Sequence, residues 1–79
     1  MSFSRITFKE IKNYCSQIDK ISICMMETLD YENYENIRKV PTTYDNYYLY
    51  GIGMIKSEFN GEYDVSCLEI MLSKKPKEL

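Results

Sequence analysis

The chain has 79 residues, with ten basic and twelve acidic side chains and a formal net charge of −2 at pH 7. A chain of this length forms one small hydrophobic core, which leaves little room for a deep catalytic cleft. Its slightly negative net charge is also unlike that of nucleic-acid-binding proteins, which usually present a basic patch. These properties favour one domain over residues 1–79 that functions by binding at its surface.

The first predicted element is an amphipathic helix over about residues 7–19. Thr7 and Glu10 have the spacing of a capping box, in which the threonine caps the helix and the glutamate bonds back to it. Residues at steps of three and four then form one apolar stripe, as a helix on a core requires. The stripe consists of Phe8, Ile11, Cys15 and Ile18.

A short run that alternates apolar and polar residues predicts a strand over about residues 20–26. The chain then becomes polar and rich in tyrosine over residues 27–46. Tyr31, Tyr34 and Ile37 have helical spacing in this segment, and Pro41 stops any helix before it. We therefore expect a connection that contains short helical turns.

Two apolar runs flank Asn60-Gly61, the dipeptide most typical of a tight β-hairpin turn. They predict hairpin strands over about residues 47–59 and 62–73. The expected fold is α+β, with the N-terminal helix packed on a three-stranded, mostly antiparallel sheet.

A regular hairpin register places both glycines of the first run on the helix-covered face, with Gly51 opposite Ile70 and Gly53 opposite Leu68. Glycines there would let the helix approach the sheet closely. A phosphate-binding loop does not fit, because the third glycine of a dinucleotide fingerprint is replaced by Lys56 and a strand follows. The opposite face is expected to be covered by residues 28–46 or by a second subunit, because it would carry Tyr50, Ile52, Met54, Cys67 and Met71.

Carboxylates are plentiful, and a metal or glycosidase pair among them stays open, but nothing in their spacing forms a calcium loop and charged runs are usually solvated. The chain has no histidine, which removes the usual general base at neutral pH and the commonest zinc ligand. Cys15, Cys24 and Cys67 lie among apolar residues and are widely spaced, which favours reduced structural thiols. Glu69 interrupts an apolar strand, and we expect it at the rim of the sheet. The sequence therefore predicts no enzyme, no metal and no cofactor.

A cytoplasmic location is expected. Residues 1–10 lack the apolar core of a signal peptide. The longest apolar run, residues 49–55, is far shorter than a membrane-spanning helix.

The strongest functional indication is a set of tyrosines next to acidic residues. Tyrosine supplies large, stiff contact area with a polar tip, and an acidic surface speeds association with a basic partner. The alternative is that several of the rings are buried against the sheet. Stacking of single-stranded nucleic acid is not favoured, because it also needs a positive groove. The candidate partner-binding residues are Asp30, Tyr31, Glu32, Tyr34, Glu35, Tyr44, Asp45, Tyr47 and Tyr48.

The segments "LYGIGMI" and "LEIMLSK" look like segments of uncharacterised low-GC phage proteins. In size, acidity, α+β make-up and lack of catalytic residues, the chain resembles the small bacteriophage-encoded inhibitors that include anti-CRISPR proteins. That resemblance implies a non-catalytic inhibitor in the host bacterial cytoplasm. Its partner would be a host defence protein with a basic surface, such as a nucleic-acid-binding effector, and not a membrane. The alternative is a small-molecule or nucleotide-binding oligomer with its site between subunits. Separately, a homodimer is left open as a partner state.

Overall fold

The computed structural model describes residues 3–78, and the side chains of residues 5–76. Residues 1, 2 and 79 of the predicted domain lie outside the described residues. The fold is α+β, as predicted. Within the described residues it contains one α-helix, α1 (Phe8–Tyr14), and six strands, β1 (Phe3–Ser4), β2 (Asp19–Met25), β3 (Asp30–Asn36), β4 (Tyr48–Phe59), β5 (Glu62–Ser73) and β6 (Lys77–Glu78).

The main sheet has four strands in the order β3-β2-β5-β4, and β1 pairs separately with β6. β2–β3 and β4–β5 are antiparallel hairpins, whereas the central strands β2 and β5 run parallel. Parallel neighbours need a long crossover connection, which here runs through β3, two 3-10 turns and β4. The predicted three-stranded, mostly antiparallel sheet therefore lacked one strand and the parallel central pair.

The helix begins where the sequence predicts and ends earlier. Thr7 is extended, and its side chain accepts a hydrogen bond from the Glu10 amide at 3.5 Å. Phe8 and Ile11 are buried, but the helix stops at Tyr14 because the chain must turn to enter β2 at Asp19. The predicted helical end at about residue 19 is wrong.

Residues 30–36 form strand β3 where a connection with helical turns was expected. A tight turn, with Leu29 at φ 58° and its amide bonded to the Met25 carbonyl at 2.6 Å, folds the chain back along β2. The backbone bonds with β2 outweigh the helical spacing of Tyr31 and Tyr34, since propensity is weaker than tertiary context. The two 3-10 turns, Ile37–Lys39 and Thr42–Tyr44, follow this strand.

The main core lies between the sheet, α1 and the segment that links β3 to β4. β2 and β5 supply adjacent aliphatic side chains from the centre of the sheet, where strands are shielded on both sides. The buried residues of this core are Phe8, Ile11, Ile21, Ile23, Ile37, Val40, Ile70 and Leu72.

The β4–β5 register matches the regular prediction at the turn, where Phe59 faces Glu62, and then shifts by one residue. The shift arises because Tyr63 and Asp64 together oppose Glu58, and Asp64 adopts φ 57°. Such an extra residue is a β-bulge. A second bulge, at Tyr50 between Leu49 and Gly51, restores the predicted register at the other end of the hairpin.

The shifted register moves both glycines to the face opposite the helix, so the prediction that they admit the helix is wrong. Gly53 faces Glu69 and Gly51 faces Met71. A Cβ at Gly51 would lie 2.9 Å from the Met71 Cε atom, and one at Gly53 would lie 3.6 Å from Glu69 Oε1. A one-residue slip exchanges the two faces of a strand, which explains the size of the change.

The sheet curls around this second face. The Asn33 side chain on β3 donates to Ser57 Oγ at 2.7 Å and to the Glu58 carbonyl at 3.1 Å on β4, so the two edge strands meet. The resulting concave face encloses a second group of buried side chains, namely Ser22, Cys24, Phe59, Cys67 and Glu69.

The predicted second apolar face does not exist as one surface. It was expected to carry Tyr50, Ile52, Met54, Cys67 and Met71. Cys67 and Met71 lie on the concave face. Ile52 and Met54 face Ile70 and Leu68 on the helix-covered side of β5. The curl of the sheet, with β3 at its edge, closes the concave face.

Candidate partner-binding site

The sheet separates the predicted partner-binding residues of β3 into two groups. Glu32 and Tyr34 pair with Ile23 and Ile21, two core residues, and lie on the helix-covered side with Asp30. Tyr31 and Glu35 alternate with them and lie on the concave side. The predicted continuous acidic surface is therefore divided between two faces.

Three of the predicted tyrosines meet on the helix-covered side. The rings of Tyr44 and Tyr47 pack edge to face, with centroids 5.9 Å apart at 82°. Burial, helped by a hydrogen bond with the Tyr44 side chain, raises the pKa of Tyr34 to about 12. All three rings are half-buried and pack against the core, so each presents only part of its surface.

A cavity of about 250 Å³ opens beside Tyr44 and Tyr47. It is smaller than the usual small-molecule site of roughly 300–1,000 Å³ and matches the size of one protein side chain. Its lining combines two aromatic rings with threonine hydroxyls and one charge of each sign. The lining residues are Met25, Glu27, Thr28, Thr43, Tyr44, Tyr47 and Lys74.

Glu27 holds the end of β5 against this cavity. Its Oε2 atom accepts hydrogen bonds from Ser73 Oγ at 2.6 Å and from the Lys74 amide at 3.1 Å. The Ser73 hydrogen bond is the main reason that the pKa of Glu27 lies below its usual value. Sequence reasoning missed Glu27 and Lys74, because they are far apart in the chain and no local pattern joins them.

Two predicted site residues have structural roles. Asp45 Oδ1 forms an ion pair with Lys12 Nζ at 2.8 Å, and the Asp45 carbonyl accepts a hydrogen bond from the Lys9 amide at 3.0 Å. These contacts hold α1 against the chain before β4, so the Asp45 charge is already compensated. Tyr48 is half-buried, and its backbone forms an isolated antiparallel β-bridge with Thr7.

On the concave side, Tyr31 contacts buried polar groups. Its hydrogen bond with the Glu69 carboxylate, together with Cys24, raises the pKa of Tyr31 to about 12. Glu69 pairs with Ser22 and Gly53 and is only 9% exposed, so the prediction of a place at the rim is wrong.

Glu35, the other predicted residue on this side, bonds Lys20 Nζ at 2.6 Å and accepts a hydrogen bond from Asn60. The Lys20 hydrogen bond lowers the pKa of Glu35. Like that of Asp45, the Glu35 charge is therefore engaged within the chain.

Within residues 3–78, no group of three or more cysteine, aspartate or glutamate side chains is placed to hold a metal ion. Cys15, Cys24 and Cys67 are free thiols, and burial raises the pKa of Cys67. The described residues contain no helix of the length and hydropathy needed to span a bilayer.

Comparisons with models of protein families, with curated proteins and with solved structures found no match to this chain. The candidate site therefore depends on its own geometry. The residues that come together are Asp30, Glu32, Tyr34, Tyr44 and Tyr47, which we call the acidic tyrosine surface.

Proposed function

We propose that the protein is a non-catalytic binding protein whose acidic tyrosine surface docks on a basic surface of another protein. The observation that carries this proposal is the convergence of Tyr34, Tyr44 and Tyr47 with the exposed carboxylates Asp30 and Glu32. Partly buried rings lose little conformational freedom on binding, and unpaired carboxylates attract a basic partner over a distance.

The cavity supplies an anchoring position for one side chain of the partner. An arginine fits its size and can stack on Tyr44 or Tyr47, a cation–π contact worth roughly 0.5–2 kcal/mol. Glu27 lies in the lining as a further acceptor, and Asp30 is close by because it pairs with the lining residue Met25. Lys74 also lines the cavity, so an incoming cation must displace its ammonium group.

The resemblance to phage-encoded inhibitors suggests the class of partner. A host defence nuclease that binds nucleic acid presents the basic groove that an acidic, aromatic surface complements. Docking there would block the groove without chemistry. This is the function we propose: an inhibitor of a basic host effector, acting by occlusion.

The test is binding to a purified RNA-guided nuclease from a low-GC bacterial host, with inhibition of DNA cleavage as the second readout. Glu32→Lys and Tyr44→Ala should each weaken binding by about ten-fold or more, and Lys74→Ala should strengthen it. Raising the salt concentration should slow association.

Tyr63→Ala is the matched control, because this ring is 74% exposed on β5 near the hairpin turn, outside the acidic tyrosine surface. The control should bind and inhibit as the natural chain does. Equal affinity of the Glu32→Lys, Tyr44→Ala and natural chains would contradict the surface assignment. Absence of binding to every basic effector tried would contradict the function itself.

The alternative, a small-molecule or nucleotide site between subunits, gains no support from Glu69. That carboxylate is enclosed by the curled sheet and lies against Gly53 and Tyr31. We therefore do not propose it.

A further inference from the structure

The two edges of the main sheet are protected differently. β3 carries charged and polar side chains, a common means of preventing an edge strand from pairing with another chain. Among the described residues, the hydrogen bonds made by the outer side of β4 lie near its two ends. At the start the Leu49 amide donates to the Ile6 carbonyl at 2.7 Å, and near the end the Glu58 carbonyl accepts from Asn33.

Between these points lies the open stretch of β4, residues 51–56. Within the part of the chain that the structure describes, no backbone hydrogen bond reaches its outer side. The open stretch carries two exposed apolar side chains, Ile52 at 53% and Met54 at 68%. An exposed apolar side chain alone is ordinary, but a pair beside unpaired strand backbone is typical of a surface that pairs with another strand.

The backbone of the open stretch is oriented for such pairing. Alternate residues of an antiparallel strand direct both their N–H and C=O groups to the same side. The Glu58 carbonyl points away from β5, so Ile52 and Met54 also direct their peptide groups outward. The peptide groups of Leu49 also point outward, although Leu49 is an odd-numbered residue. The extra residue at the Tyr50 bulge explains this, because it shifts the outward positions from odd numbers before the bulge to even numbers after it.

We propose that a second copy of this chain pairs with the open stretch, antiparallel, about a two-fold axis at Gly53. In this arrangement Ile52 faces Met54 of the second copy, and Met54 faces its Ile52. Both pairs are of the hydrogen-bonded kind, as the outward backbone groups require. Gly53 faces its counterpart across a non-hydrogen-bonded pair, at about 4.5 Å between Cα atoms, where the absence of a side chain permits the close approach.

Charge also favours a second copy in this register. Lys56 is the only charged residue of the open stretch. With the axis at Gly53, the two Lys56 residues lie at opposite ends of the interface, about 20 Å apart at 3.4 Å per residue. That distance exceeds the screening length of about 8 Å, so they repel little. An axis at Met54 would instead place each lysine opposite Ile52.

The dimer would join the two sheets through the open stretches of their β4 strands, and the β3–β4 contact at Asn33 would lie beyond each end of the interface. The interface uses none of the residues of the acidic tyrosine surface, so this inference is independent of the proposed function. The interface is short, and we expect a dissociation constant of about 10–100 µM.

Sedimentation equilibrium of the full chain from about 1 µM to about 1 mM tests the dimer. The natural chain should shift from monomer to dimer across this range, and Met54→Lys should raise the dissociation constant about ten-fold or more. Tyr14→Lys is the matched control, because this ring is 88% exposed on α1 and the change adds the same charge. A monomer throughout, or equal effects of the two lysines, would overturn the proposal.

Disulfide cross-linking tests the axis in a Cys15→Ser background, which removes the only thiol that is not buried. Gly53→Cys should form a covalent dimer on mild oxidation, because a disulfide needs Cα atoms about 4.4–6.8 Å apart. Ile55→Cys should not, because its counterpart lies about 14 Å away, four residues along the second strand. Cross-linking through Met54→Cys in preference to Gly53→Cys would contradict the axis.

Discussion

At the scale of single residues, the concave face shows how one carboxylate raises the pKa of a neighbouring tyrosine. Glu69 lies beneath Gly53, whose missing side chain leaves room for the carboxylate, and its Oε1 atom would be 3.6 Å from a Cβ there. The carboxylate accepts from the Tyr31 hydroxyl, which therefore retains its proton to about pH 12. Ser22, the partner of Glu69 on β2, has a buried hydroxyl without a hydrogen-bond partner among the described residues. On this face Tyr31 and Glu69 therefore bond each other, whereas the Ser22 hydroxyl has no partner among the described residues.

Replacing Glu69 with Gln should lower the pKa of Tyr31 from about 12 towards the ordinary value of 10.0 and leave Tyr34 at about 12. The reason is that the negative charge disfavours the tyrosinate of Tyr31, whereas burial acts on Tyr34. Ultraviolet titration of the tyrosines measures both. In the natural chain these raised values favour the folded state below pH 10, and that advantage is lost as the pH rises through 12. Glu58→Gln is the control, and an unchanged Tyr31 titration in Glu69→Gln would contradict the assigned contact.

At the scale of elements, the bulge at Asp64 decides which face of β4 is buried. The turn at Asn60-Gly61 starts the hairpin in the expected register, and the extra residue then shifts it. Asp64 occupies the left-handed region at φ 57°, which aspartate tolerates better than most residues. The side chains of β4 from Gly51 to Ser57 therefore point to the opposite faces from those that a regular hairpin predicts.

Asp64→Val should destabilise the fold by about 1–2 kcal/mol, because a β-branched residue is strained at positive φ. Asp64→Gly should remain within about 0.5 kcal/mol of the natural chain, since glycine adopts this conformation freely. Urea unfolding at one pH compares the two with the natural chain. If valine were tolerated as well as glycine, Asp64 would not hold the left-handed conformation in solution.

At the scale of the whole molecule, curling gives this small chain a second buried face. Asn33 joins β3 to β4, and the thiols of Cys24 and Cys67 lie behind that contact at 2% exposure each. A chain of this size buries a smaller fraction of its surface than a larger domain, so closing the concave face adds burial that one helix cannot supply.

Asn33→Ala should open the contact between the edge strands and increase the rate of labelling of Cys24 and Cys67 by about ten-fold. Two hydrogen bonds are lost, each worth roughly 0.5–1.5 kcal/mol, and local opening governs access to buried thiols. Labelling with a thiol reagent, read by mass spectrometry, measures each cysteine, and half-buried Cys15 serves as the internal reference. Asn13→Ala, at an exposed position of α1, is the matched control. Equal rates for all three proteins would show that the Asn33 contact does not close this face.

Local chemistry was sufficient to predict several features from the sequence. The Thr7 cap, the apolar face of α1, the strand after it and the Asn60-Gly61 turn depend on residues a few positions apart. The α+β class followed from these elements. The candidate tyrosines were also recognised, but their division between two faces was not, because it required β3 to be a strand.

Only the tertiary structure decided β3, the parallel pairing of β2 with β5, the two bulges and the curl. Each depends on contacts between residues that are distant in the chain, such as Asn33 with Ser57 or Glu27 with Ser73. A helical spacing in residues 31–37 yielded to backbone pairing with β2, because a strand edge offers hydrogen bonds that a short isolated helix cannot match. The cap, the helix and the turn were therefore properties of the sequence by itself, whereas the faces on which Glu69, the glycines and the tyrosines lie were set by strand pairing.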